Sequence, residues 1–121
     1  MAKMLVVDDE PAIRQVLADF LTVRGHAVEA AASGAQALDL LRRYDFAVVF
    51  LDIVMPGMDG IEIIRRLRVE FPALTIIMIS GVTDQQLAQQ SMELGAFDYI
   101  TKPFDLDYLD RVIRLRLARA S

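Results

Sequence analysis

The chain of 121 residues has no cysteine, no tryptophan and a single histidine, His26. Without thiols there is neither a disulfide framework nor a thiolate metal site. With one imidazole, zinc catalysis and a Ser-His-Asp triad lack their materials. Lysine and arginine number 13 against 17 aspartates and glutamates, a net charge of -4, which points away from nucleic acid as a direct partner. No apolar run is long enough to span a membrane, and Lys3 is followed by only four apolar residues before Asp8-Asp9-Glu10, too few for a signal-peptide core. The expectation is a cytoplasmic protein without a membrane partner. Linker-like, low-complexity and repeated stretches are missing too, and the length suits one domain over residues 1–121.

What is present is apolar sequence, 55% of the chain, cut into short pieces. Met4 to Val7, a weak Ala27 to Ala31, Phe46 to Leu51, Leu74 to Ile79 and Phe97 to Ile100 read as strands. The longer runs are continuously apolar, the habit of strands covered on both faces in a parallel sheet. Helices read between them. Pro11 fits a first turn capped by Asp9 or Glu10, with Ile13, Val16, Leu17, Phe20 and Leu21 on one stripe and Gly25 at the end. Ser33-Gly34-Ala35-Gln36 matches a capping box and opens a second helix to about Tyr44. Pro56 and Gly57 signal a turn, and a third helix runs from Gly60 with Ile61, Ile64 and Leu67 inward. Asp84 caps a fourth that Gly95 ends, and a fifth begins near Asp105 with Leu106, Leu109, Val112, Ile113 and Leu117 inward. Five strands alternating with five helices predict an α/β fold, a flavodoxin-like doubly wound five-stranded parallel sheet in the order 2-1-3-4-5.

In that order strands one and three meet at the switch point, and ligands bind outside the carboxyl edge there. Asp8 and Asp9 end strand one and Asp52 ends strand three, while Ser80 and Lys102 follow strands four and five. Carboxylates about 4 Å apart at an effective dielectric of about 20 repel by roughly 4 kcal/mol per pair, so the cluster is a liability unless it raises a pKa or binds a cation. Oxygen donors without His or Cys suit a hard divalent ion, and few carboxylates with open water positions favour Mg2+ over Ca2+. A lysine and a serine hydroxyl beside such a metal suit a phosphoryl group, and a strand-end aspartate there can form an acyl phosphate.

The stretches Leu5-Val6-Val7-Asp8-Asp9-Glu10, Leu51-Asp52-Ile53-Val54-Met55-Pro56-Gly57-Met58-Asp59-Gly60 and Gly95-Ala96-Phe97-Asp98-Tyr99-Ile100-Thr101-Lys102-Pro103-Phe104 resemble the receiver domains of two-component response regulators, the CheY-like family. The resemblance covers essentially the whole chain. It implies that Asp52 is the phosphoacceptor for a sensor histidine kinase or phosphotransfer protein. It implies that Mg2+ is held by Asp9 directly and Asp8 through water, with Asp52 and the backbone carbonyl of Val54 completing the set. Ser80, Gly81 and Lys102 would contact the phosphoryl group, and the Lys102–Pro103 peptide would be cis. Ser80 and Tyr99 take the switch positions that relay the change to the face formed by the fourth helix, fifth strand and fifth helix. The implied partners are a downstream effector domain or protein and, on phosphorylation, a second copy of the chain. The implied chemistry is signalling, with self-phosphorylation from small donors and self-dephosphorylation only.

Val54 and Val82 stand two residues past Asp52 and Ser80, where family members often carry polar groups. The resemblance implies that these positions tune how fast water reaches the acyl phosphate, and two β-branched side chains there predict slow self-dephosphorylation. Phe97 replaces an aspartate that the OmpR-like subfamily uses between subunits, and Gly-Ala-Phe-Asp-Tyr is closer to the nitrogen-regulator class. A haloacid dehalogenase-type phosphatase would need a second aspartate where Val54 stands. A flavodoxin-like nucleotide domain would want glycines where Asp8-Asp9-Glu10-Pro11 repels phosphate.

Overall fold

The computed structural model describes residues 2–55, 58–81 and 85–120. Its elements follow in the order β1 (Lys3–Val7), α1 (Pro11–Val23), β2 (Ala27–Ala31), α2 (Gly34–Arg43), β3 (Val48–Asp52), β4 (Val54–Met55), β5 (Met58–Asp59), α3 (Gly60–Glu70), β6 (Thr75–Ser80), α4 (Gln85–Glu93), β7 (Asp98–Thr101) and α5 (Leu106–Ala120). The main sheet is parallel throughout, ordered β2-β1-β3-β6-β7, so its own strands run 2-1-3-4-5 in the flavodoxin-like way.

The continuous apolar strands have a simple cause. Successive side chains point to opposite faces, and both faces are covered. Leu5, Val7, Val49, Leu51, Ile76 and Met78 face one core with Leu38 and Leu41 of α2 and Ile64 and Leu67 of α3. Their alternates, Met4, Val6, Val48, Phe50, Ile77 and Ile79, face another with Leu17 and Leu21 of α1 and Leu109, Val112 and Ile113 of α5. Each such large side chain taken from water contributes about 1.5–3 kcal/mol, which fixes the sheet as the rigid floor of whatever sits on its edge.

Local signals set the helix ends. Ser33 accepts from the Gln36 amide at 3.2 Å while the Gln36 side chain accepts from the Ala32 amide at 2.9 Å. Asp59 caps α3 by accepting from the amides of Ile61 and Glu62. Gly60 follows because a Cβ there would overlap the side chain and backbone of Ile53. The first helix departs from its predicted stripe. Val16 is 46% exposed, while Leu17 and Leu21 alone are fully buried, because α1 covers the sheet with a narrower face than the periodicity suggested.

The sequence signalled only a turn after β3, whereas the chain there forms a two-residue antiparallel ladder, Val54 with Asp59 and Met55 with Met58. The turn signals Pro56 and Gly57 lie outside the described residues, as do Val82 and the expected cap Asp84. Among the described residues no helix is long and apolar enough to cross a membrane.

Candidate functional site

Register brings the chemistry-bearing residues to one edge. Val7 pairs with Leu51, so Asp8 and Asp52 follow side by side at the ends of β1 and β3. Asp52 pairs with Ile79, next to Ser80, and Ser80 pairs with Thr101, next to Lys102. The Lys102 amide donates to the Ser80 carbonyl at 2.7 Å, extending the β6–β7 ladder by one residue, and the Lys102–Pro103 peptide is cis.

The lysine side chain then turns back across the edge. Its Nζ lies 2.9 Å from Asp8 Oδ2, 3.0 Å from Glu10 Oε1 and 3.3 Å from Asp52 Oδ2. The side chains of Asp8 and Asp52 are only 3% and 4% exposed, so each is a buried charge that needs a counter-charge, and the ammonium supplies it. Burial works to lower the Lys102 pKa. The hydrogen bonds to Asp8 and Glu10 and the charge of Asp52 outweigh it and hold the ammonium well above the ordinary lysine value.

The β1–α1 turn is fixed by its own backbone. The Asp8 amide donates to the Ala31 carbonyl at 3.1 Å, and Asp8 Oδ1 accepts from the Glu10 amide at 2.9 Å. The Arg14 guanidinium, one turn into α1, donates to the Asp8 carbonyl at 2.7 Å. Carboxylate oxygens of Asp8, Asp9, Glu10 and Asp52 lie within 4.8 Å of one another. Four oxygen donors at that spacing, two of them buried and two exposed, fit a hard divalent cation open to water and to phosphate on its outer side.

Of the residues singled out from sequence, Asp8, Asp9, Asp52 and Lys102 meet at this point, and Ser80, fully buried, and Gly81, exposed, adjoin it along β6. Val54 stands two residues past Asp52 in β4, its side chain outside the described residues. Tyr99 is half-buried three residues before Lys102 on β7, packed against the core on the α2–α3 side. Two participants were not singled out. Glu10 was read as a cap, yet at the N-cap its side chain caps nothing and reaches Lys102 instead. Arg14 carries only a weak sequence signal, its position one turn beyond Glu10 on the same helix.

Residues 4–114 match the family described as the response regulator receiver domain. Among curated proteins, the chain is 37% identical over 112 residues to sporulation initiation phosphotransferase F of Bacillus subtilis, covering 93% of this chain and 90% of that protein. It is 42% identical over 118 residues to the transcriptional regulatory protein KdpE of Mycobacterium tuberculosis, covering 98% of this chain and 51% of that one. Among solved structures, a response regulator receiver domain protein of Clostridium thermocellum superposes with a TM-score of 0.92 at 31% identity, covering 99% of this chain and 97% of that chain. Chemotaxis protein CheY4 of Vibrio cholerae gives 0.88 at 32%, covering 95% and 98%. The chain thus spans most of one curated relative and from a quarter to about half of several others.

Proposed function

The chain belongs to the response regulator receiver domain family, and from that premise we propose that Asp52 accepts a phosphoryl group from the phosphohistidine of a sensor kinase or phosphotransfer protein. The observation that carries the assignment to Asp52 is the single ammonium of Lys102 held by three carboxylates, two from the β1–α1 turn and one from the end of β3. It supports that reading by setting a buried Asp52 carboxylate oxygen 3.3 Å from a fixed cation at the floor of the crevice.

In the transfer, an Asp52 carboxylate oxygen attacks phosphorus. The new O–P bond forms as the N–P bond of the donor breaks, and the imidazole leaves with that electron pair. Lys102 neutralises charge on the phosphoryl oxygens as it arrives, and Ser80 and Gly81 contact those oxygens from the end of β6. Asp8, Asp9, Asp52 and the backbone carbonyl of Val54 would hold Mg2+, whose charge, when bound, offsets that of the phosphoryl group. Water later returns Asp52 to a carboxylate and releases inorganic phosphate. Val54 and Val82 would slow that step by keeping polar groups and water from the acyl phosphate.

The output is conformational. Ser80 moves toward the phosphoryl oxygens and Tyr99 follows into the space, biasing the α4–β7–α5 face between two states. That face is read by a downstream effector domain or protein, or by a second phosphorylated copy. The protein works in the cytoplasm, with neither nucleic acid nor membrane as a direct partner of this domain, and it acts as a switch rather than as a turnover enzyme.

The test is incubation with acetyl phosphate and Mg2+, read by intact mass, for the native chain and for Asp52→Asn. One phosphoryl group gained by the native chain alone is the expected result. Equal gain in both would move the acceptor elsewhere.

A further inference from the structure

Glu10 occupies the N-cap of α1 with extended backbone, φ -88° and ψ 113°, ahead of Pro11. A short polar side chain at such a position, Ser, Thr, Asp or Asn, ordinarily accepts from an amide of the first turn. The Glu10 carboxylate makes no such bond. It crosses instead to the segment after β7 and takes Lys102 Nζ at 3.0 Å. The three carboxylates on this ammonium are unequal. Asp8 and Asp52 are on the floor at 3% and 4% exposure, and Glu10 is at the mouth at 59%. All three N–H bonds of the ammonium thus have carboxylate partners.

We propose that Glu10 is a positioning residue that restrains phosphoryl entry, by holding Lys102 at the mouth of the crevice and by presenting negative charge there. The proposal rests on Asp52 being the acceptor. An incoming phosphoryl group is anionic and has to come within reach of Asp52 Oδ2, past the exposed Glu10 carboxylate. To bind it, Lys102 has to free an N–H bond. Asp8 and Asp52 are buried and need cationic charge beside them, from Lys102 or from Mg2+ when it is bound, whereas Glu10 stands 59% exposed and, once released, is solvated by water at once. Glu10 is therefore the partner that gives way. Both effects have one sign: neutralising Glu10 eases entry of an anionic donor. Because the charge stands in solvent at the mouth, its influence falls on donor binding and is screened by salt.

The experiment measures the rate of mass gain from acetyl phosphate at saturating Mg2+ for the native chain, Glu10→Gln and Glu62→Gln. Glu62 is an exposed carboxylate on α3, so its replacement removes the same unit of charge elsewhere. Glu10→Gln is expected to raise the rate at limiting donor roughly three- to fivefold at low ionic strength. The rate at saturating donor should not change, and the gain should shrink toward unity at about 0.5 M salt, where the screening length is only a few ångströms. Glu62→Gln should match the native chain. A Glu10→Gln rate equal to or below the native rate at every salt concentration overturns the proposal, as does an equal gain from Glu62→Gln. A native chain that takes up no phosphoryl group, or takes up as much after Asp52→Asn, fails the functional assignment itself and is told apart by that control.

Discussion

Lys102 Nζ and Asp8 Oδ2 stand 2.9 Å apart, the shortest of the ammonium's three ion pairs, and join the turn after β1 to the segment after β7. Those segments come from opposite sides of the central strand β3. The pair therefore spans the carboxyl edge above Asp52 and ties the stability of the crevice to its charge.

Replacing Lys102 by Met removes the counter-charge of two buried carboxylates. In the presence of EDTA the expected loss is roughly 2–4 kcal/mol, short of the largest buried-pair losses because Glu10 rehydrates. Millimolar Mg2+ should recover part of it. Urea denaturation with and without Mg2+ is the measurement, and an unchanged midpoint under EDTA would show that the ammonium is not the compensating charge.

His26 gives the fold an acid-sensitive point. Its Nδ1 accepts the Ala2 amide at 3.3 Å, so that nitrogen is unprotonated. Burial lowers its pKa against the opposing pull of Asp110. With the folded value below the unfolded 6.5, its contribution is whole above 6.5 and is lost as pH falls through the folded value. Glutamine at position 26 should flatten the decline of the urea midpoint in that window, relative to the native chain.

On the output side, the Tyr108 hydroxyl donates to Asp98 Oδ2 at 2.7 Å, and Asp98 Oδ1 accepts the Tyr99 amide at 2.8 Å. This bond raises the Tyr108 pKa. A raised phenol value means a contribution present below the unfolded value of 10.0 and lost as pH climbs through the folded one. Tyr108→Phe should cost about 0.5–1.5 kcal/mol near neutrality, and absorbance titration should lose a tyrosine that titrates above the ordinary phenol value.

Gly60→Ala places a methyl group against Ile53, directly after Asp52. The expected cost is about 1–3 kcal/mol, together with slower phosphoryl uptake because the β3–α3 connection must shift. Unchanged stability would mean that the turn has slack.

Once the donor is removed, the phosphorylated chain should decay slowly, and Val54→Asn should hasten the decay. Successive intact-mass spectra follow both. Fast loss from the native chain would remove the shielding role given to Val54 and Val82.

The sequence by itself determined the sheet and its order, because uninterrupted apolar strands such as Val48 to Leu51 have one stable use, burial on both faces, and right-handed crossovers then leave few arrangements. It also determined which residues end the strands, so Asp8, Asp52, Ser80 and Lys102 were legible as one edge. Tertiary structure decided what no local pattern encodes. It turned Val16 outward, made a ladder of Val54–Met55 and Met58–Asp59, and sent Glu10 away from its cap. Glu10 and Lys102 are 92 residues apart, and whether two long side chains meet across such a span depends on how the turns carrying them are held in space, to which periodicity and capping preferences are blind.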